Sequence, residues 1–100
     1  MKIVRTGRWV YDGGVEKTVD IVALDYDWWY KLAKADGALE DGEVAKSLGR
    51  DGLLYYLRFQ RAGEDKEPIW VDSGGYETCE KAMQAAQTKV DGPINWLGTC

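Results

Sequence analysis

The chain has 100 residues, of which 45% are hydrophobic and 30% are charged, so we expect one globular domain over residues 1–100. Its net charge of −4 argues against the basic surface on which generic binding to nucleic acid or to an anionic membrane depends. Histidine is absent, which excludes Ser-His and Cys-His nucleophile pairs and imidazole metal ligands.

An N-terminal β-hairpin is the first predicted element. The segments 2–11 and 17–26 are rich in β-branched and aromatic residues, which favour strands. Residues 12–14 between them read Asp-Gly-Gly, a turn signal, because glycine supplies the positive φ that tight hairpins need.

The segment from Asp27 to Gly37 predicts a short helix after the second strand. Asp27 is a suitable N-cap, residues 31–35 have good helix propensity, and Gly37 is placed to end the helix. The alternative is that the second strand continues through Trp29, because aromatic residues are also common in strands.

Residues 38–52 are predicted to form an irregular connection, with a helical turn at 43–48 as an open alternative. The stretch contains two Asp-Gly pairs, which are typical of turns. At about 15 residues it is longer than most connections in a compact domain, and such long loops often carry function.

The strand with the clearest pattern covers residues 53–60. Its odd-numbered positions are all apolar or aromatic, so we expect them to face the core. Tyr56 and Arg58 would then lie on the opposite, outer face. Residues 69–72 predict a short fourth strand, for which the preceding Pro68 is acceptable.

A C-terminal helix is predicted over about residues 79–90. Thr78 is an acceptable N-cap, small apolar residues recur at helical spacing, and Asp-Gly-Pro at 91–93 ends the helix. Trp96 is expected to close one end of the core. The predicted fold class is α+β: an antiparallel sheet of about four strands, with this helix packed on one face and the short helix after strand 2.

Few groups in the sequence can carry chemistry. Cys79 and Cys100 make no disulfide framework, and we expect Cys79 to be a buried structural cysteine, with a bridge to Cys100 as the minor alternative. Asp25 and Asp27 are too few ligands for a hard cation, and the later acidic residues lack EF-hand spacing. We therefore predict no metal, no cofactor and no enzymatic activity.

Three consecutive aromatic residues point to an interaction surface. Trp28, Trp29 and Tyr30 cannot all face one core, whether they lie in a helix or in a strand. Exposed aromatic side chains are favoured interface anchors, so we predict a small, acidic protein-interaction module, with a homodimer as its favoured form. The candidate partner-binding residues are Trp28, Trp29, Tyr30 and Tyr56, together with an acidic run of Asp36, Glu40, Asp41 and Glu43.

The sequence leaves two other functions open. One is an acidic inhibitor of the phage or mobile-element type, in which the acidic run occupies the basic site of a nucleic-acid-handling protein. The other is small-ligand binding in a pocket beneath the long connection. The expected partner is a protein or a second copy of the chain, not nucleic acid or membrane. With no apolar leader and no long apolar stretch, a cytoplasmic location is expected.

Overall fold

The computed structural model of the chain describes residues 2–59 and 70–100. Within them, four strands form one antiparallel sheet in the order β3-β2-β1-β4. The predicted α+β class and the four-stranded antiparallel sheet are confirmed. The elements in chain order are β1 Lys2–Tyr11, β2 Val15–Leu24, α1 Trp28–Ala35, β3 Leu54–Phe59, α2 Cys79–Thr88 and β4 Asn95–Leu97.

Strands β1 and β2 form the predicted hairpin. The chain reverses at residues 12–14, where Asp12 and Gly13 have φ of 50° and 71° and the Gly14 N–H donates to the Tyr11 carbonyl at 3.2 Å. Strand β2 begins at Val15, two residues earlier than predicted, because Val15 pairs with Tyr11 directly across this turn.

Helix α1 begins where its capping residues predict. The Asp27 carboxylate accepts a hydrogen bond from the Tyr30 N–H at 3.2 Å, which satisfies one donor of the first turn. After the C-cap Asp36, Gly37 has φ of +69° and ends the helix. The alternative in which β2 continues through Trp29 is therefore wrong.

The connection after α1 is irregular throughout residues 38–53, so the helical turn at 43–48 is absent from this described segment. The Asp27 carboxylate ties the connection to the start of α1, because its second oxygen accepts from the Lys46 N–H at 2.8 Å. Further along, Gly49 passes so close to the start of α2 that a Cβ there would overlap the Glu77 carbonyl oxygen. These contacts hold the long connection against the start of each helix.

The prediction of a fourth strand at 69–72 is wrong over the described residues 70–72, which form no strand, while Ile69 lies outside the described residues. The fourth strand is β4, and its three residues pair with Thr6–Arg8 of β1. The sequence pattern did not indicate it, because β4 is short and its partner lies at the other end of the chain.

Residues 72–76 instead complete the outer edge of β3. Leu57 accepts from the Asp72 N–H at 2.8 Å and donates to the Ser73 hydroxyl at 2.9 Å, while Tyr55 and Tyr76 exchange two backbone bonds of 2.8 Å. The side-chain oxygens of Ser73 and Asp72 accept from the Leu57 and Phe59 N–H groups, in place of the backbone carbonyls of a regular β-ladder. This explains why residues 72–76 do not form a strand.

Strand β3 is buried on both faces. On one face Tyr55 and Leu57 belong to a cluster with Val19, Ile21, Ala23, Cys79, Ala82, Ala86 and Ile94. On the other, Leu54 and Tyr56 belong to a second cluster with Val22, Leu24 and Val71. This corrects the prediction that Tyr56 and Arg58 face outward: their exposures are 0% and 4%. The second face is covered by Val71, which belongs to the second cluster, and by Tyr26 and Trp28, which pack against it.

A disulfide bond joins Cys79 to Cys100, with a Cα–Cα distance of 5.8 Å. The bridge that was only the minor alternative from the sequence is therefore formed. It connects the first residue of α2 with the segment that follows β4, because the pairing of β4 with β1 returns the chain toward α2. Cysteine count and spacing alone contain no information about that return.

Replacing Gly7 with alanine is expected to lower the free energy of unfolding by about 1–3 kcal/mol, the usual range for overpacking. The added Cβ would lie 2.5 Å from Ile94 Cγ2 and 2.9 Å from the Trp96 ring, which packs over this glycine. Gly14→Ala is the matched control, because nothing lies within 4 Å of a Cβ at that position. Urea denaturation checks this prediction, and equal midpoints for the two variants would contradict it.

Candidate functional site: the tryptophan patch

Three indole rings pack edge to face at one surface of the molecule. The ring centroids are 4.8 Å apart for Trp28 and Trp29, 4.9 Å for Trp28 and Trp70, and 6.2 Å for Trp29 and Trp70. Trp28 is half-buried, whereas Trp29 and Trp70 remain 39% and 44% exposed. We call Trp28, Trp29 and Trp70 the tryptophan patch.

The sequence pattern indicated Trp28 and Trp29 as site residues but not Trp70. Trp70 lies 41 positions after Trp29, in the segment that the sequence predicts to be a fourth strand and that forms none over the described residues 70–72. Its ring reaches the others because residues 70–73 run alongside β3 and the start of α1. The sequence does contain one signal for its exposure: a tryptophan next to a charged, turn-rich segment, in a chain with five tryptophans, is a poor candidate for complete burial.

Tyr56 supports the patch from beneath and does not contact the solvent. Its hydroxyl accepts from the Trp28 N–H at 2.8 Å and lies 3.3 Å from the Tyr26 carbonyl, to which it donates. Burial raises the pKa of Tyr56, which keeps the phenol protonated and able to donate. Tyr56 is therefore not an exposed aromatic side chain, because its exposure is 0% and its hydroxyl positions the first turn of α1. Its part in partner binding stays a prediction.

A hydrogen bond holds the Trp29 ring in place. Its indole N–H donates to the Ser73 carbonyl at 2.7 Å, and the buried Ser73 hydroxyl in turn bonds the Leu57 N–H and the Gly74 carbonyl. The exposed ring is thus fixed to the segment that completes the edge of β3. A ring that is already ordered loses little conformational freedom when it is buried against a partner.

Tyr30 lies outside the patch and lines a separate cavity of about 460 Å³ between α1 and residues 45–48. This cavity lies beneath the long connection, where the sequence predicted a ligand pocket as one alternative. Lys31, Lys34 and Lys46 surround it, and both oxygens of Asp27 are engaged by backbone N–H groups. The lining carries charges of both signs and two phenol rings, which suits a small polar ligand.

All four residues of the acidic run are exposed. Asp36 caps the end of α1, and Glu43 accepts from the Glu40 N–H at 3.0 Å within the connection. Lys34 and Lys46 flank the run in the sequence, so its surroundings carry both charges. The run therefore lies beside α1, and between described residues no hydrogen bond or ion pair joins it to the tryptophan patch.

Tyr55 and Asp51 form a second polar pair, at a cavity of about 530 Å³ that both cysteines also line. The Tyr55 hydroxyl donates to the Asp51 carboxylate. This bond, together with burial and the negative charge of Asp51, raises the pKa of Tyr55 to about 12. Tyr55 is consequently a hydrogen-bond donor at neutral pH.

Among residues 2–59 and 70–100, no group of three or more histidine, cysteine, aspartate or glutamate side chains is placed to hold a metal ion. Over the same residues, neither helix has the length and apolarity that crossing a bilayer requires.

Comparison of the chain with protein-family models, with curated proteins and with solved structures finds no significant match. The function must therefore be inferred from the geometry of the surface itself.

Tyr56→Phe is expected to lower the free energy of unfolding by about 1–2 kcal/mol, because it leaves the Trp28 N–H without its buried acceptor. Since Trp28 is part of the patch, the near-ultraviolet circular dichroism of the indoles is expected to change as well. Tyr11→Phe is the control, because Tyr11 is 50% exposed on the hairpin. Equal stability and an unchanged spectrum for Tyr56→Phe would contradict the supporting role.

Stability is expected to fall with pH above about 10, partly through Tyr55. Its folded-state pKa of about 12 exceeds the ordinary value of 10.0, so between these values the native state retains a proton that the unfolded chain releases. The contribution is complete below about pH 10 and is lost as pH rises toward 12. Urea unfolding from about pH 9 to 11 checks this. Tyr55→Phe should flatten part of the fall, and an unchanged fall in this variant would contradict the prediction.

Proposed function

We propose that this chain is a non-enzymatic protein-interaction module whose contact surface is the tryptophan patch. The exposure of Trp29 and Trp70, on rings that pack against each other and against Trp28, is the observation that carries the proposal. Tryptophan is strongly enriched among the residues that dominate binding energy at interfaces. An indole cluster in which hydrogen bonds fix Trp28 and Trp29 is a preorganised form of such an anchor.

A second copy of the chain is the partner that we propose first. The patch side chains are uncharged, so two patches can meet on a twofold axis without adding to the repulsion between two molecules of net charge −4. Sheet extension through β3 is disfavoured, because residues 72–76 already bond the backbone groups of Tyr55 and Leu57 along that edge.

The expected dimer is weak. A tryptophan side chain buries about 150–250 Å² in total, and here less than half of each exposed ring is still accessible. Two such rings offer far less than the ~800 Å² per partner of a standard interface, so polar neighbours must form most of the contact. We expect dissociation in the micromolar range, with the indoles at the centre.

We infer further that helix α2 covers one face of the sheet and that the patch belongs to the other side. The burial of Cys79, Ala82 and Ala86 in the cluster of Val19 and Ile21 supports the first statement. The packing of Trp28 against the cluster of Tyr56 and Val71 supports the second. Under this arrangement α2 stabilises the sheet while the opposite side remains available for a partner.

The two alternatives have weaker support. An inhibitor that mimics nucleic acid needs a surface dominated by carboxylates, whereas the acidic run is flanked by lysines. A ligand-binding pocket needs a mostly apolar, enclosing wall, whereas Lys31, Lys34, Lys46 and Leu48 around the 460 Å³ cavity are all exposed.

Sedimentation equilibrium over micromolar concentrations tests the proposal. The parent chain is expected to dimerise, and Trp29→Ser and Trp70→Ser are each expected to weaken the dimer at least about tenfold. Tyr11→Ser, which removes an exposed aromatic side chain from the hairpin, should leave dimerisation unchanged. Trp70→Ser also guards against misfolding of Trp29→Ser, which loses the bond to Ser73. A parent chain that is strictly monomeric, or a dimer that both tryptophan variants preserve, would overturn the proposal.

A further inference from the structure

We propose that the Cys79–Cys100 bridge is a thiol–disulfide exchange site that accepts an incoming thiol at Cys100. The two cysteine residues differ in exposure: Cys100 is exposed, whereas Cys79 is only 2% exposed. Both cysteines line the cavity of about 530 Å³ at the start of α2. This volume can admit a small thiol or an extended peptide that carries a cysteine.

The cation beside Cys100 is the observation that separates this bridge from a purely structural one. Arg5 Nη1 lies 3.6 Å from Cys100 Sγ and 3.0 Å from Met83 Sδ, and its guanidinium stands 5.8 Å from the centre of the Trp96 ring. Its Nε is buried without an acceptor. Within residues 2–59 and 70–100, Arg5 forms no ion pair with a carboxylate.

Reduction of the disulfide bond would place an anionic Cys100 thiolate beside the Arg5 guanidinium. Disulfide and thioether sulfurs are weak hydrogen-bond acceptors, so in the oxidised form Arg5 is poorly satisfied. A Cys100 thiolate at the same position would form a charge-assisted contact with Arg5. The reduced state is therefore more favourable here than for a disulfide bond with no cation beside it. The same guanidinium favours the ionised, reactive form of Cys100.

The exchange proceeds in two displacements. An external thiolate attacks Cys100 Sγ and forms a mixed disulfide, while the electron pair of the Cys79–Cys100 bond passes to Cys79 Sγ. A second external thiolate then attacks the external sulfur of the mixed disulfide, and the Cys100 thiolate leaves beside Arg5. Two thiols become one external disulfide, the bridge gains two electrons, and the two thiol protons pass to the cysteines or to solvent.

The leaving sulfur of the first step lies at the first position of α2, where Thr78 caps the helix. Backbone N–H groups of the first turn stabilise a thiolate there, while two nearby glutamates oppose it. Arg5 reaches Cys100 from β1. The other titratable or charged groups that face the cavity are Arg50, Asp51, Tyr55, Glu77, Glu80 and Lys81.

Glutathione is the probe for the first test, with the folded, oxidised chain as the starting material. Reduction is expected in the native state, at a rate proportional to glutathione concentration and faster than global unfolding. Intact-mass spectrometry after acid quenching should detect a mixed disulfide, and peptide mapping should place it on Cys100. In Cys79→Ser, where Cys100 is a free thiol, oxidised glutathione should place the same adduct on Cys100, and reduced glutathione should then remove it by the second displacement. Reduction that occurs only at the rate of global unfolding would overturn the proposal.

The second test measures the contribution of Arg5. In a Cys79→Ser background, the rate at which iodoacetamide alkylates Cys100 is followed against pH. Arg5→Gln is expected to move this profile upward by about one pH unit, or about tenfold in rate near neutral pH. Arg5→Lys should retain most of the parent rate, and Arg8→Gln, on the opposite face of β1, should not change it. Identical profiles for the parent and Arg5→Gln would overturn the role of Arg5.

A salt titration of the Cys79→Ser chain tests the role of Arg5 without substituting it, so misfolding of an Arg5 variant cannot affect the result. Added salt should move the pH profile upward by screening the guanidinium from the thiolate. A profile that salt leaves unmoved would contradict the same role. Dimerisation through the tryptophan patch is measured separately, so the outcome of either experiment does not decide the other.

Discussion

The double burial of strand β3 is the constraint on which the rest of the structure depends. Tyr55 and Leu57 belong to one buried cluster, and Leu54 and Tyr56 belong to a second cluster with Val22, Leu24 and Val71. Burial on both faces requires cover on both, and the outer edge also needs partners for its backbone. Residues 70–76 help to cover the second face and supply hydrogen-bond partners for the outer edge of β3. The same segment brings Trp70 to the start of α1.

Local signals predicted the parts of the fold that short-range chemistry decides. The Asp-Gly-Gly turn, the Asp27 cap and the terminating Gly37 act over a few residues, so the hairpin and α1 follow from the sequence. Strand β4 and the disulfide do not, because both depend on a pairing between opposite ends of the chain. The near-continuous apolar run of β3 did contain a signal for burial on both faces, and weighing only its alternation placed Tyr56 outside.

The candidate site was predictable in part for the same reason. Consecutive Trp28 and Trp29 had to diverge, and one of them is exposed whichever element forms. The contribution of Trp70 depends on tertiary structure alone. The hydroxyl of the buried Tyr56 accepts a hydrogen bond from the Trp28 N–H, so a core residue positions the backbone of the exposed patch. The patch can remain exposed to solvent because hydrogen bonds to Tyr56 and Ser73 fix the Trp28 backbone and the Trp29 ring.

The pairing of β4 with β1 has a consequence for how the molecule is made. Thr6–Arg8 leaves the ribosome well before Asn95–Leu97, because 86 residues, 9–94, lie between the two stretches. The hairpin of β1 and β2 can form during that interval, since local contacts form before contacts between distant segments. Until β4 is synthesised and pairs, this edge of β1 is unprotected and can pair with a strand of another chain.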